Sequence, residues 1–295
     1  MSRLVFIVLA VAVLACGGAV ENDDPSRMQL AASIPPHAWL AEQIGGGAVE
    51  VTTVLGPGDS PATYQPSDEQ VSRLLASRTF FRAGVPFENG PWFEALEEKM
   101  RVVDLRDGVE MRPMEDHGSR SEPARSGHIH RAGDLDPHTW LSPTRVAVQA
   151  RRIADTLHEL DPSRAATYSA GVESLVARLE RLDGRIRSAL APHRGRPFIV
   201  FHPSWGYYAD DFGLRQIAIE TGGKEPSDIE LSAVQRLIRE HRISTIFVQP
   251  QIAGQSAAAV AEAFDLRVDV IDQLAPNIVA NLELVTARIE ESLGD

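Results

Sequence analysis

A chain of 295 residues with 43% hydrophobic content can build one large core or two medium ones. Its 41 Asp and Glu outweigh 29 Lys and Arg, for a formal charge of −12 with no long basic run. That balance argues against a nucleic-acid partner and fits a soluble surface or one that handles cations.

The first stretch is not part of a fold. Residues 4–15 (LVFIVLAVAVLA) are a short apolar run behind Arg3, too short to span a bilayer and suited to a signal peptide. Cys16, the only cysteine, follows in "VLAC", which resembles a lipobox, the site where a bacterial lipoprotein is cleaved and its thiol lipidated. Residues 17–27 read as a tether. The chain is therefore expected to be exported and held at a membrane by lipid on Cys16, in the periplasm or on the outer face of the cell membrane. No second cysteine exists, so no disulfide framework supports the fold.

Residues 28–34 read as a strand ended by Pro35-Pro36-His37, followed by a helix over 38–44 that Gly45-Gly46-Gly47 closes. That trio lacks the spacing of a phosphate cradle and reads as a helix stop. A strand over 49–55 leads into the turn-rich loop 56–66. Ser67 then caps a helix to residue 76, with Asp68 and Glu69 in its favourable first turn. Strands over 79–84 and 101–105 complete four. Residues 106–136, rich in Arg, Gly, Ser, Pro and His, read as a mobile loop, and a helix from Ser142-Pro143 to about Leu160 follows.

The run 163–190 then places Tyr168, Val172, Leu175, Val176, Leu179, Leu182, Ile186 and Leu190 at steps of three and four. This draws one apolar stripe on a helix about 40 Å long, N-capped by Asp161. It reads as a rigid spacer between two halves. Beyond it, strands over 197–201, 215–220, 243–248 and 267–271 alternate with helices over 231–240 and 256–264, a further helix after 202–208, and a last one from Asn277. Alternating βα units predict an α/β fold, two lobes with mostly parallel sheets joined by one long helix. The organisation is leader 1–16, tether 17–27, N-terminal lobe 28–161, linking helix 162–190 and C-terminal lobe 191–295.

In such sheets ligands bind beyond the carboxyl ends of the strands. His37, His138, His202 and Asp272 stand after strands or in the loops that follow them. Neutral imidazoles with one carboxylate suit zinc or another late divalent metal. Each has a plainer reading: a histidine near a proline can be a hydrogen-bonded loop residue, and Asp272 can cap the turn that follows it. His117, His128 and His130 read as solvated loop residues. Trp140, Trp205, Tyr207 and Tyr208 read as packing walls.

Taken together, "DPHTWLSP", "FHPSWGYYADDFGL", "GKEPS" and "IFVQPQ", with a strand ending in Asp272, stand in order around one long helix. In this the chain resembles the zinc/manganese class of solute-binding lipoproteins of bacterial ABC transporters, over essentially all of residues 28–295. The resemblance implies one metal ion buried between the lobes and delivered to a membrane permease, and a monomeric receptor rather than an enzyme. By position, His138, His202 and Asp272 match three of that family's four ligands. Zinc is the expected ion, with Mn2+ or Fe2+ open. The family's remaining histidine has no counterpart: the loop reads Ser60-Pro61-Ala62-Thr63-Tyr64, and Ala62 cannot bind a metal. His37, Glu225 or a water is expected to fill that position. Three protein ligands plus a water also describe a hydrolytic zinc, although no HExxH motif is present. A surface adhesin that has lost its metal is the other alternative.

Overall fold

A computed structural model describes residues 27–114, 135–220, 227–251 and 255–294. The leader, nearly all of the tether, Cys16, His117, His128, His130 and Glu225 lie outside the described residues.

Two four-stranded sheets carry the architecture. The first contains β1 (Met28–Ala32), β2 (Val49–Thr53), β3 (Phe80–Arg82) and β4 (Val102–Asp104), all parallel, in the order β2-β1-β3-β4. The second contains β5 (Pro197–Val200), β6 (Arg215–Ala218), β7 (Thr245–Val248) and β8 (Arg267–Val270), again all parallel, in the order β6-β5-β7-β8. The two orders are the same. Each sheet reverses its winding between its first and third strands, so each opens a crevice beyond the carboxyl ends of that pair.

The helices are α1 (Pro35–Gly45), α2 (Asp68–Leu74), α3 (Pro91–Glu97), α4 (Pro143–Leu160), α5 (Ala165–Leu190), α6 (Gly206–Phe212), α7 (Asp228–His241), α8 (Gln255–Phe264) and α9 (Ile278–Gly294). None of the described helices is long and apolar enough to cross a membrane. Ser67 caps α2 by accepting the Gln70 N–H at 3.2 Å. Asp161 accepts the Ser163 N–H and starts a 3₁₀ turn, Pro162–Arg164, that leads into α5.

Beyond strand and helix ends that shift by a residue or two, three differences from the sequence reading are larger or bear on the site. Helix α1 starts at Pro35 rather than after His37, because a proline in the first turn forfeits only an N–H that has no intrahelical partner anyway. His37 is thus a first-turn helical residue, not a loop residue. Helix α7 starts three residues early, where Ser227 and Glu230 form a reciprocal capping box. The stretch 106–136 is not wholly a loop off the fold. Val109 and Met114 are buried, Pro113 bridges Leu135 in antiparallel fashion, and the Asp136 N–H donates to Arg112 O at 2.9 Å.

The predicted stripe of α5 is the stripe that is buried, with Val172 at its half-buried margin. α5 packs on α4 and α1 at one end and on α9 and α6 towards the other. Phe198, Val200 and Phe247 face this central core, joined to it with Trp205, Tyr208, Ile271 and Leu282. The alternate residues Ile199, Ile217, Ile246 and Val248 point to the opposite face, where they meet Val234 and Ile238 of α7 and Ala257 and Ala261 of α8. Period-two alternation thus covers the second sheet on both sides.

Candidate metal centre

His202 comes from the C-terminal lobe. It follows β5 at the switch point of the second sheet, and it is 5% exposed. Its loop is pinned from several directions. Ser204 N–H donates to His202 O at 2.9 Å, Gln249 Nε2 to His202 O at 3.3 Å and to Ser204 Oγ at 3.1 Å, and Trp205 N–H to Gln216 Oε1 at 2.7 Å. His138 comes from the N-terminal lobe, at the start of a 3₁₀ turn (Thr139–Leu141) just before α4, and it is 3% exposed. The two rings meet edge to face, with centroids 5.4 Å apart.

Each ring is held through Nδ1 by a carboxylate. His138 Nδ1 lies 2.8 Å from Asp136 Oδ1, which also accepts the His138 N–H at 3.0 Å, and Asp136 is 1% exposed. His202 Nδ1 lies 3.2 Å from Glu220 Oε2, brought alongside by the pairing of β5 with β6. A carboxylate on Nδ1 fixes the tautomer, makes the imidazole more basic, and presents Nε2 as the coordinating atom. Burial pushes the pKa of His138 down against the pull of Asp136, which favours the neutral ring, the form a metal requires.

Trp140 closes the apolar wall. It is fully buried, 5.3 Å from the His138 ring and 5.9 Å from the His37 ring, and its Nε1–H donates to Gln273 O across the lobes at 2.7 Å. His37 stands at the switch point of the first sheet, fully buried. Neither of its ring nitrogens has a hydrogen-bond partner among the described residues. Burial lowers its pKa to about 3, opposed by the charge of Asp104 and by the amide of Gln149, which lies beside it outside hydrogen-bonding geometry.

Asp272 follows β8 and is half-buried. Its Oδ1 accepts Leu274 N–H at 2.9 Å and Gln251 Nε2–H at 3.1 Å, so it caps the turn as its plainer reading expects. Ala62 is half-buried in a tied loop, where Phe87 N–H donates to Pro61 O at 3.1 Å. Among the described residues no three His, Cys, Asp or Glu side chains form a group that could hold a metal ion. The structure therefore brings His138 and His202 together, while Asp272 and His37 do not join them in such a group. Tyr207 and Tyr208 are buried, as packing walls should be, yet both hydroxyls are used: Tyr207 donates to Asp136 O at 2.8 Å, and Tyr208 pairs with Thr286 Oγ1 at 2.7 Å.

Sequence reasoning missed the two carboxylates. Asp136 was findable, because an Asp two residues before a His can reach back to its Nδ1. Glu220 was not, since only parallel strand pairing sets it beside His202.

The profile of the family described as "Zinc-uptake complex component A periplasmic" (ZnuA) matches residues 30–287. A Yersinia pestis protein, "High-affinity zinc uptake system protein ZnuA", is 27% identical over 264 residues, covering 84% of this chain and 83% of that protein. The "Zinc-binding lipoprotein AdcA" of Streptococcus pneumoniae serotype 4 is 24% identical over 93% of this chain, which spans 55% of that lipoprotein's length. Among solved structures, a crystal structure of ZnuA superposes with a TM-score of 0.80 at 34% identity, covering 90% of this chain and 99% of that one. The chain belongs to the ZnuA family of periplasmic components of zinc-uptake complexes.

Proposed function

We propose that this chain is the extracytoplasmic receptor of an ABC-type zinc importer, which takes one zinc ion between its lobes and hands it to a membrane permease. The observation that carries this reading is the buried pair His138 and His202, one from each lobe, each oriented through Nδ1 by its own carboxylate. Both imidazoles bind through Nε2. Asp272 closes on the ion as a carboxylate ligand, and His37, Glu225 or a water takes the position that Ala62 leaves without a donor. A nitrogen-rich shell favours zinc over manganese or iron. The zinc is cargo, and no reaction is catalysed. The receptor works as a monomer anchored through lipid on Cys16, with lobes bounded as the sequence organisation sets out.

Elemental analysis and chelator competition on the soluble chain from Glu21 test the reading. One tightly held zinc per chain is expected, and a His138→Ala, His202→Ala double variant should lose it. If the wild-type chain binds no stoichiometric zinc, manganese or iron, Ala62 marks a lost site and the transport function falls while the family assignment stands.

A further inference from the structure

Between β4 and α4 the chain touches the other lobe at Arg112, and several of its contacts there bear on Asp136. Its N–H donates to the Tyr207 hydroxyl oxygen at 3.1 Å, and that hydroxyl donates to Asp136 O at 2.8 Å. Its carbonyl accepts the Asp136 N–H at 2.9 Å. The guanidinium is 15% exposed, with Nη1 3.9 Å from Asp136 Oδ2 and Nε 3.1 Å from Asp210 Oδ2 on α6. Gly206 makes the seat. A Cβ at that position would stand 1.6 Å from Arg112 Nη1 and 3.1 Å from Asp136 Oδ2.

Asp136 is thereby flanked on both sides, by hydrogen bonds at Oδ1 and by a 3.9 Å ion pair at Oδ2. Oδ1 serves the N–H and Nδ1 of His138, while Oδ2 faces a cation delivered from the first lobe and steadied by the second. A buried carboxylate left without its cation would turn away, and that lets the imidazole swing.

We infer that Arg112, seated by Gly206 and Tyr207, is a positioning residue of the metal site: it holds Asp136 so that His138 presents Nε2 to the ion. The inference rests on the zinc-receptor reading. It makes Arg112 a determinant of affinity although its side chain never touches the metal.

Zinc affinity of the purified wild-type protein, Arg112→Gln, Asp136→Asn and the double variant, measured by chelator competition, tests it. Arg112→Gln should weaken zinc binding about 10- to 100-fold, the range for residues that orient a metal-binding histidine. The double variant should bind no worse than Asp136→Asn alone, because Arg112 acts through that carboxylate. Gly206→Ala provides a second route: it leaves the arginine in place but displaces its guanidinium, and it should reproduce the loss of affinity. Zinc affinity within about threefold of wild type in both Arg112→Gln and Gly206→Ala would overturn the assignment. So would losses that multiply in the double variant, the result expected of two independent structural defects. A wild-type chain that takes up no zinc would overturn the receptor reading, and this one with it.

Discussion

Glu88 sits beyond the carboxyl ends of β1 and β3, where four donors converge on it among the described residues. Ser33 Oγ, Ala83 N–H (2.9 Å), Gly84 N–H (2.7 Å) and Arg82 Nε (3.1 Å) all point at its carboxylate. Burial pushes its carboxyl pKa up, and these donors pull the other way. Glu88→Gln replaces an acceptor with an NH2 group facing donors, and should cost about 3 kcal/mol in urea unfolding of the metal-free protein. His37 gives the pH prediction. The unfolded ring takes a proton near pH 6.5 and the folded ring only at about 3, so in that window the unfolded state holds more protons. Its contribution is complete above pH 6.5 and is lost as pH falls towards 3, by up to about 1.4 kcal/mol per pH unit. His37→Leu should remove that slope: between pH 7 and 4.5 the variant's urea midpoint should fall less than that of the wild type. The His138 and His202 positions were legible in the chain because each lies in a recognisable motif. Their carboxylates and the Glu88 network were less so, since Ser33, Arg82 and Glu220 reach their partners only once the strands are paired.

Helices show how far local pattern carries. The apolar stripe of α5 was readable because its period is that of a helix, and tertiary packing adopted it. Strand limits were read too long, because apolar residues run on past the last ladder pairing. The start of α1 was misread because Pro35-Pro36 looks like a break and is a first turn. Two glycines on α5 make a matched test. A Cβ at Gly171 would stand 2.3 Å from the backbone oxygen of Ile44, at the point where α1 lies against α5, while one at Gly184 meets nothing within 4 Å. Gly184→Ala should raise stability by about 0.5–1 kcal/mol through helix propensity alone. Gly171→Ala should lower it by about 1–3 kcal/mol, because backbone must move to admit a methyl group. Thermal unfolding of the two variants, which by propensity alone should behave alike, separates the effects.

At the scale of the molecule, two sheets of the same strand order meet along one continuous helix, and direct side-chain bonds cross their seam. Arg145 Nη1 pairs with Asp211 Oδ1 at 2.8 Å, Ser142 Oγ donates to Asp211 Oδ2 at 2.5 Å, and Trp140 reaches Gln273 O. A helix without an internal loop has no residues to absorb a wide hinge rotation. Zinc loading should therefore change the radius of gyration in small-angle scattering by no more than about 1 Å against an overall value of ~19 Å for a chain of this size. A larger contraction would place a hinge in the seam. The apolar cluster carries a second consequence, for folding. Leu30 and Phe80 of the first sheet belong to the same packed body as Phe198 and Phe247 of the second, with α5 and α9 between them. Lobes that share their main interior melt together, so calorimetry of the metal-free chain should show a single transition whose calorimetric and van't Hoff enthalpies agree. Neither half, expressed alone, would bury its share of that interior.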